Sequence, residues 1–253
     1  MANARQRQAI AHPERMIPLG FLVGILVGTL LLALPVSRAG GLSGEGGAPL
    51  IVALFTATSA FCVTGLTVVD TPGFWSPFGH LVILLLAQVG GLGILTGATL
   101  LGVLVSRRLR LKGQLMASAE MRSLDLGDVR HVLRLVVTFT LATEALLAAW
   151  LTLLFLGYGM GLGDAAWHGL FHAVSAFMNA GFSTLPEGLS AHAADWLMGL
   201  PLMLGVVLGG IGFPVLYELR QEWRRPEAWS IHTKLTLWGT LALTLIGMAA
   251  VLL

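Results

Sequence analysis

Charge is what this chain has least of. Asp, Glu, Lys and Arg make up 11% of its 253 residues, where a soluble globular domain carries about 25%. So few ionised groups exclude a water-exposed globular surface. Cysteine is nearly absent as well. Cys62 stands alone, which excludes an internal disulfide and a cysteine metal cluster and says little about redox compartment. No small-residue cleavage site follows the first apolar stretch, so that stretch reads as a retained span and not a signal peptide. No constellation of nucleophile, acid and base is found either, which points away from an enzyme.

What the chain has instead is apolar length. Hydrophobic residues make up 56% of it, and its mean hydropathy is +0.83. Apolar runs cover roughly 17–37, 78–105, 132–156, 195–217 and 235–253. Each has about the twenty residues a helix needs to cross a hydrocarbon core about 30 Å thick. The expected fold is therefore all-α and integral to a membrane, with five spans.

The few charges are placed unevenly. With the N-terminus in the cytoplasm and the spans alternating, fourteen of the fifteen Lys and Arg residues fall inside. These are Arg5, Arg7 and Arg15, seven between Arg107 and Arg134, then Arg220, Arg224, Arg225 and Lys234; only Arg38 falls outside. The opposite orientation reverses the ratio, so the bias toward cytoplasmic positive charge sets the orientation. The basic stretch Arg107–Lys112 is then a juxtamembrane cluster, and no nucleic-acid partner is expected.

Two of the outer connections, Ala48–Thr67 and Asp164–Ser183, are apolar but too short to cross and return as two helices. Non-helical backbone at membrane depth is tolerated where it is buried in protein or lines a watery cavity, and re-entrant loops meet that condition. Pro49 suits the first turn of a short helix, and Asp164 suits an N-cap. The connections are also copies of one another. Residues 54–67 (LFTATSAFCVTGLT) align without a gap with residues 170–183 (LFHAVSAFMNAGFS), identical at seven of fourteen positions. The spans that follow repeat as well, Val89-Gly90-Gly91-Leu92-Gly93 against Leu208-Gly209-Gly210-Ile211-Gly212. Matching hydropathy at so long a period indicates duplicated, parallel membrane units. The expected organisation is a cytoplasmic N-terminus over 1–16, a first helix–loop–helix repeat over 17–105 and a cytoplasmic loop over 106–130. A second repeat follows over 131–219, a cytoplasmic loop over 220–234, and the first helix of an incomplete third repeat over 235–253.

A short helix entering from outside aims the negative end of its dipole at the membrane centre, where it favours a cation. Beyond it the chain must turn outward with carbonyls replacing an ion's hydration shell, and glycine permits the positive φ of such a turn. Val63, Thr64, Gly65 and Leu66 in the first copy, and Asn179, Ala180, Gly181 and Phe182 in the second, occupy that place. An ordinary packing turn is the alternative for both glycines.

These residues carry a family resemblance. Phe55–Leu66 with Val68-Val69-Asp70-Thr71 resembles the first pore loop of the Trk/Ktr/HKT potassium transporters, and of the Ktr type above all. Gln88–Gly93, Phe171–Phe177, Asn179–Ser183, Gly209–Pro214 and Ser230–Lys234 resemble the family at corresponding places and in the same order. The resemblance implies four helix–pore-loop–helix units around one potassium-channel-like pore, with the loop glycines in a K⁺ selectivity filter. It implies K⁺ as the transported ion, Na⁺ as a candidate coupling ion and no covalently bound cofactor. It also implies a multi-pass subunit of the bacterial inner (plasma) membrane, a homo-oligomer, gated by a cytosolic nucleotide-binding ring. Two of four units and one further helix are present, so the expectation is a truncated or split pore subunit, completed by the remaining half of the pore or by a second copy. A non-conducting half-pore that modulates a full-length relative is the alternative.

Other residues have two readings each. His168 and His172 stand i, i+4 on one helix face, a metal-binding spacing; a membrane metal enzyme built on them is the reading from another class, and packing is the simpler one. Glu144, inside a span, is an ion-path candidate or a protonated or hydrogen-bonded structural carboxyl. Asp70, with Glu187 and Asp195, could concentrate cations at the outer mouth or stand as solvated loop carboxylates. Gly90, Gly91, Gly93 and Gly97, with Gly209, Gly210 and Gly212, read as close-packing faces. Trp75, Trp150, Trp167 and Trp196 read as interfacial anchors. The basic amphipathic stretch Ser106–Arg130 suits membrane lipid, or docking of the regulatory ring.

Overall fold

A computed structural model describes residues 13–44, 46–114, 126–192 and 194–252. Among them the regular structure is helical, apart from one isolated bridge between Arg38 and Trp75. The longer helices are α1 (Pro13–Ala33), α2 (Leu50–Phe61), the single turn α3 (Thr71–Phe74) and α4 (Pro77–Gln114). They are followed by α5 (Leu126–Gly157), α6 (Leu162–Phe177), α7 (Trp196–Ile211), α8 (Phe213–Glu222) and α9 (Ile231–Leu252). The side chains of residues 98–132 and the backbone of residues 115–125 lie outside the described residues, and with them most of the basic stretch Ser106–Arg130. So do residues 1–12 of the expected cytoplasmic N-terminus.

The chain divides into two compact units, Met1–Gly91 with Ala180–Ala193, and Leu92–Asn179 with Ala194–Leu253. In the first, α1 packs along α2, and the ring of Phe21 meets Phe61 edge-on at 5.2 Å between centroids. Helix α1 stops short of the expected 37 because Pro35 follows Leu34, and a residue before proline is driven to extended backbone, here φ −64° and ψ 144°. The connection from α1 to α2 is then tied to α3. Ala39 N–H donates to Phe74 O and Ser76 N–H to Ser37 O, both at 2.9 Å. The Arg38 guanidinium lies 5.4 Å over the Phe74 ring, and Trp75 is only 2% exposed. Of the tryptophans expected at span ends, this one is therefore core.

In the second unit α5 and α6 run against each other, and α7 packs on both. Leu151, Phe155 and Phe171 are buried between them. Trp150 Nε1 donates to Leu197 O at 3.2 Å and fixes the start of α7 to α5. Helices over Pro77–Gly97, Leu133–Gly157 and Ile231–Ala250 are long and apolar enough to cross a membrane.

The expected span 195–217 is not one rod. Helix α7 ends at Ile211, and α8 leaves it at 96°. Gly212 sits at the corner with φ 85° and ψ 149°, a conformation open to glycine alone. Pro214 then occupies the first turn of α8, where its missing N–H costs nothing. In the first repeat the matching triplet Gly93-Ile94-Leu95 lacks the proline, and α4 runs on unbroken to Gln114.

Candidate functional site

The site is assembled from the ends of α2 and α6. Both helices are apolar, and the C-terminal part of each is buried. In α2 residues Thr56, Ala57, Ser59, Ala60 and Phe61 are buried, and in α6 every residue from Phe171 to Phe177. Pro49 is the N-cap of α2 rather than a residue of its first turn. Asp164, expected as an N-cap, lies inside the first turn of α6 with Gly161 at the cap. Its charge still faces the positive end of the dipole.

Each helix ends in a left-handed residue. After the C-cap Cys62, Val63 has φ 56°; its N–H donates to Ala60 O at 3.2 Å, and Thr64 N–H donates to Ser59 O at 2.9 Å. This pair of bonds is the Schellman closure, and Thr64 Oγ1 adds a third to Ser59 O at 3.1 Å. In the second copy Met178 is the C-cap, Asn179 has φ 58°, and its N–H donates to Ala176 O at 3.0 Å. Asn179 Nδ2 also donates to Val206 O at 3.4 Å, linking the loop to α7.

The backbone beyond the cap repeats too. Gly65 has φ 75° and Gly181 φ 70°, whereas Thr64, Leu66, Ala180 and Phe182 have no positive φ. Positive and negative φ therefore alternate through Val63–Leu66 and again through Asn179–Phe182. In an ordinary strand successive side chains and carbonyls alternate between sides. Reversing φ at every second residue turns alternate peptide planes over, so that neighbouring carbonyls can share one side.

Close packing holds both loops. A Cβ on Gly65 would lie 2.8 Å from Ala180 O and 3.1 Å from Gly181 Cα, so the two filter-candidate glycines touch. A Cβ on Gly90 would lie 1.9 Å from Phe61 O, and one on Gly209 1.7 Å from Phe177 O. In each copy, then, a glycine of the following helix lies directly against the last carbonyl of the preceding short helix. Gly90 and Gly209 therefore act as packing residues, as their spacing suggests, whereas Gly97, expected on the same packing face, has nothing within 4 Å of its Cβ position.

The remaining candidates take up places of their own. Asp70 is exposed and caps α3, its Oδ2 accepting from Gly73 N–H at 3.0 Å. Asp195 Oδ1 likewise caps α7 through Leu197 N–H at 2.9 Å. Glu144 is buried in α5 at 3% exposure. His172 is 1% exposed, bonds His168 O through Nδ1 at 2.8 Å and packs on Phe155 and Phe171. Among the described residues no group of three His, Cys, Asp or Glu could hold a metal, so the metal reading of His168 and His172 finds no third ligand. Val63 and Asn179 are the left-handed positions that sequence reasoning missed. Asn at that place is a usable signal; valine gives none.

The sequence pattern of the TrkH family, described as a cation transport protein, matches residues 40–245. The chain is 38% identical over 240 residues to the Ktr system potassium uptake protein B of Bacillus subtilis (strain 168), covering 94% of this chain and 52% of that protein. It is 36% identical over 250 residues to the protein of the same name from Vibrio alginolyticus, covering 97% and 52%. With the potassium/sodium uptake protein NtpJ of Enterococcus hirae it shares 31% over 238 residues, covering 93% and 51%. The chain spans about half the length of the curated relatives it matches. Their names are those of transport proteins, not enzymes. The family match takes in both short helices, both left-handed turns and all four close-packed glycines. The chain belongs to the TrkH family of cation transport proteins.

Proposed function

We propose that this chain contributes half or more of a K⁺ uptake pore, with the carbonyls of Val63–Leu66 and Asn179–Phe182 forming part of its selectivity filter. The alternation of φ sign, repeated in two loops of different sequence, supports this reading above all. Positive φ at Val63 and Asn179 belongs to an ordinary helix cap, but the second reversal at Gly65 and Gly181 goes beyond what that cap requires. The ends of α2 and α6 add dipoles that favour a cation beyond them.

The pore stands in the bacterial inner membrane with the N-terminus in the cytoplasm, on the strength of the Lys and Arg asymmetry. A second copy, or the other half of the pore, completes the ring of carbonyls. Na⁺ is the candidate coupling ion, since NtpJ is named for potassium and sodium. The amphipathic pattern of Ser106–Arg130 suits docking of a cytosolic nucleotide-binding ring.

The test is K⁺ and Na⁺ uptake by the conducting assembly carrying Gly65→Ser or Gly181→Ser. A side chain at either position costs roughly 1–2 kcal/mol in left-handed backbone and presses on the other loop. A loss of about 1.4 kcal/mol in K⁺ preference is a tenfold loss of discrimination. Each variant should therefore reduce K⁺-over-Na⁺ preference about tenfold at normal protein level. Gly97→Ser, with nothing within 4 Å of its Cβ, should leave it unchanged. Unchanged preference in both loop variants sinks the filter assignment. Failure of the wild-type chain to restore growth of a K⁺-uptake-deficient strain on low K⁺, alone or with a full-length relative, sinks the transport reading.

A further inference from the structure

The helix beyond the break has two faces with different fates. On one, Glu218 Oε1 accepts from Ser230 N–H at 2.6 Å and Oε2 from Ser230 Oγ at 2.7 Å, with Thr233 Oγ1 as a further donor. Nearby, Glu222 O accepts from Trp229 Nε1 at 2.9 Å. The carboxylate of Glu218 is thus turned to the start of α9. Tyr217, Arg220 and Gln221 follow the i, i+3, i+4 spacing of a single helical face, Arg224 lies in the turn just past the end of α8, and all four are exposed. The Arg224 guanidinium lies 5.0 Å over the ring of Trp223, which is itself 66% exposed. Cations and amphipathic rings stay on the open side while an acid is drawn off it.

The break sets the depth of this face. Helix α7 has 16 residues, about 24 Å at 1.5 Å per residue, which falls short of a hydrocarbon core of about 30 Å. A helix leaving at 96° from that end runs along the membrane plane near the headgroup boundary, where Tyr and Trp rings settle and Arg reaches phosphates. From Ser230 onward α9 exposes Ile231, Leu235 and Trp238, an apolar strip starting beside the same corner. A cationic patch joined to an apolar strip fits a molecule with an anionic head and hydrocarbon tails.

We propose that Tyr217, Arg220, Trp223 and Arg224 bind the phosphate headgroup of an anionic phospholipid, its acyl chains lying along α9. Assigning that lipid to the inner leaflet rests on the orientation proposed above; the binding itself does not. Free phosphate shares the headgroup chemistry but gains nothing from the apolar strip, and the experiment separates the two.

The purified full chain in neutral detergent is titrated with phosphatidylglycerol or phosphatidylcholine of identical acyl chains, and bound lipid is counted by native mass spectrometry. Phosphatidylglycerol should bind at least about tenfold more tightly. The double variant Arg220→Gln, Arg224→Gln should lose about that factor, as expected for two cations facing an anionic headgroup. Arg220→Lys, Arg224→Lys keeps both charges and should retain most of the preference. Equal affinity for the two lipids overturns the proposal. So does a preference that survives the double Gln variant, or displacement of the lipid by millimolar inorganic phosphate, which marks a free-anion site. Lipid-independent capture of a cytosolic protein by this face, abolished in the double Gln variant, overturns it in favour of protein docking. Should the double Gln variant not fold, the wild-type chain still decides. Preference for phosphatidylglycerol must weaken as KCl is raised, because screening acts on exposed charge, and a salt-independent preference counts against the site. None of these readings depends on transport.

Discussion

Gly90 and Gly209 are the residues on which the short helices rest. The carbonyl of Phe61 or Phe177 occupies the place where a side chain would begin, at 1.9 and 1.7 Å from the Cβ position. An alanine there cannot be relieved by turning a side chain, since the obstacle is backbone. Overpacking of this kind costs typically about 1–3 kcal/mol, sometimes more. Gly90→Ala and Gly209→Ala should each lower thermal stability accordingly, and Gly97→Ala, in open space, should raise it by about 0.5–1 kcal/mol through helix propensity. Scanning fluorimetry of the three proteins in one detergent checks the order, and a neutral Gly209→Ala would contradict the packing. At this scale the sequence was a good guide to type and a poor one to detail. The repeated Gly65 and Gly181 announced positive φ because glycine permits it cheaply. Val63 concealed the same conformation, because a β-branched residue is held there by the Schellman bonds and the packed helix and not by its own preference.

Among the elements, the corner between α7 and α8 is the clearest case of one residue type changing a shape. Both repeats carry the Gly-Gly-x-Gly segment, yet α4 continues unbroken while α7 gives way to α8 at 96°. Pro214, where the first repeat has Leu95, removes a donor that a continuous helix requires, and Gly212 accepts the backbone that results. Spin labels at Leu200 and Gln221 should lie roughly 21 Å apart across the bend, and about 31 Å apart if the helix were straight. Gly212→Ala combined with Pro214→Leu removes both causes and should move the measured distance toward the longer value. A distance unchanged by the double substitution would assign the bend to tertiary contacts instead. The apolar run 195–217 was legible as a single span because hydropathy counts residues and is blind to direction. The Gly–Phe–Pro triplet inside it was the overlooked signal. Helix boundaries at Pro35 and at Gly161 shifted for similar reasons, through proline sterics and capping that hydropathy does not weigh.

For the molecule as a whole, composition was enough to establish an all-helical membrane protein, since scarcity of charge leaves few other solvents for such a chain. Orientation rests on fourteen of fifteen basic residues falling on one side. A reporter fused at Met121, outside the described residues, should therefore be cytoplasmic. Fusions at Leu42 and Leu189, both exposed, should be external. Labelling of a cysteine at position 121 by an impermeant reagent from outside the cell would reverse the orientation. The two loops that duplicate one another in sequence meet at Gly65 and Gly181, a proximity no periodicity announces. Repetition tells that two segments share a conformation, and only packing tells that they touch.

The contact of Gly90 and Gly209 with backbone carbonyls also bears on how this gene can drift. Glycine codons tolerate change only at the third base. Every substitution at the first or second base installs a residue with a Cβ or a stop, and here the Cβ itself is the fault. Neither position has a conservative neighbour in codon space. At these two codons every replacement starts from the cost of an added Cβ, so the mildest available change is already a loss of stability.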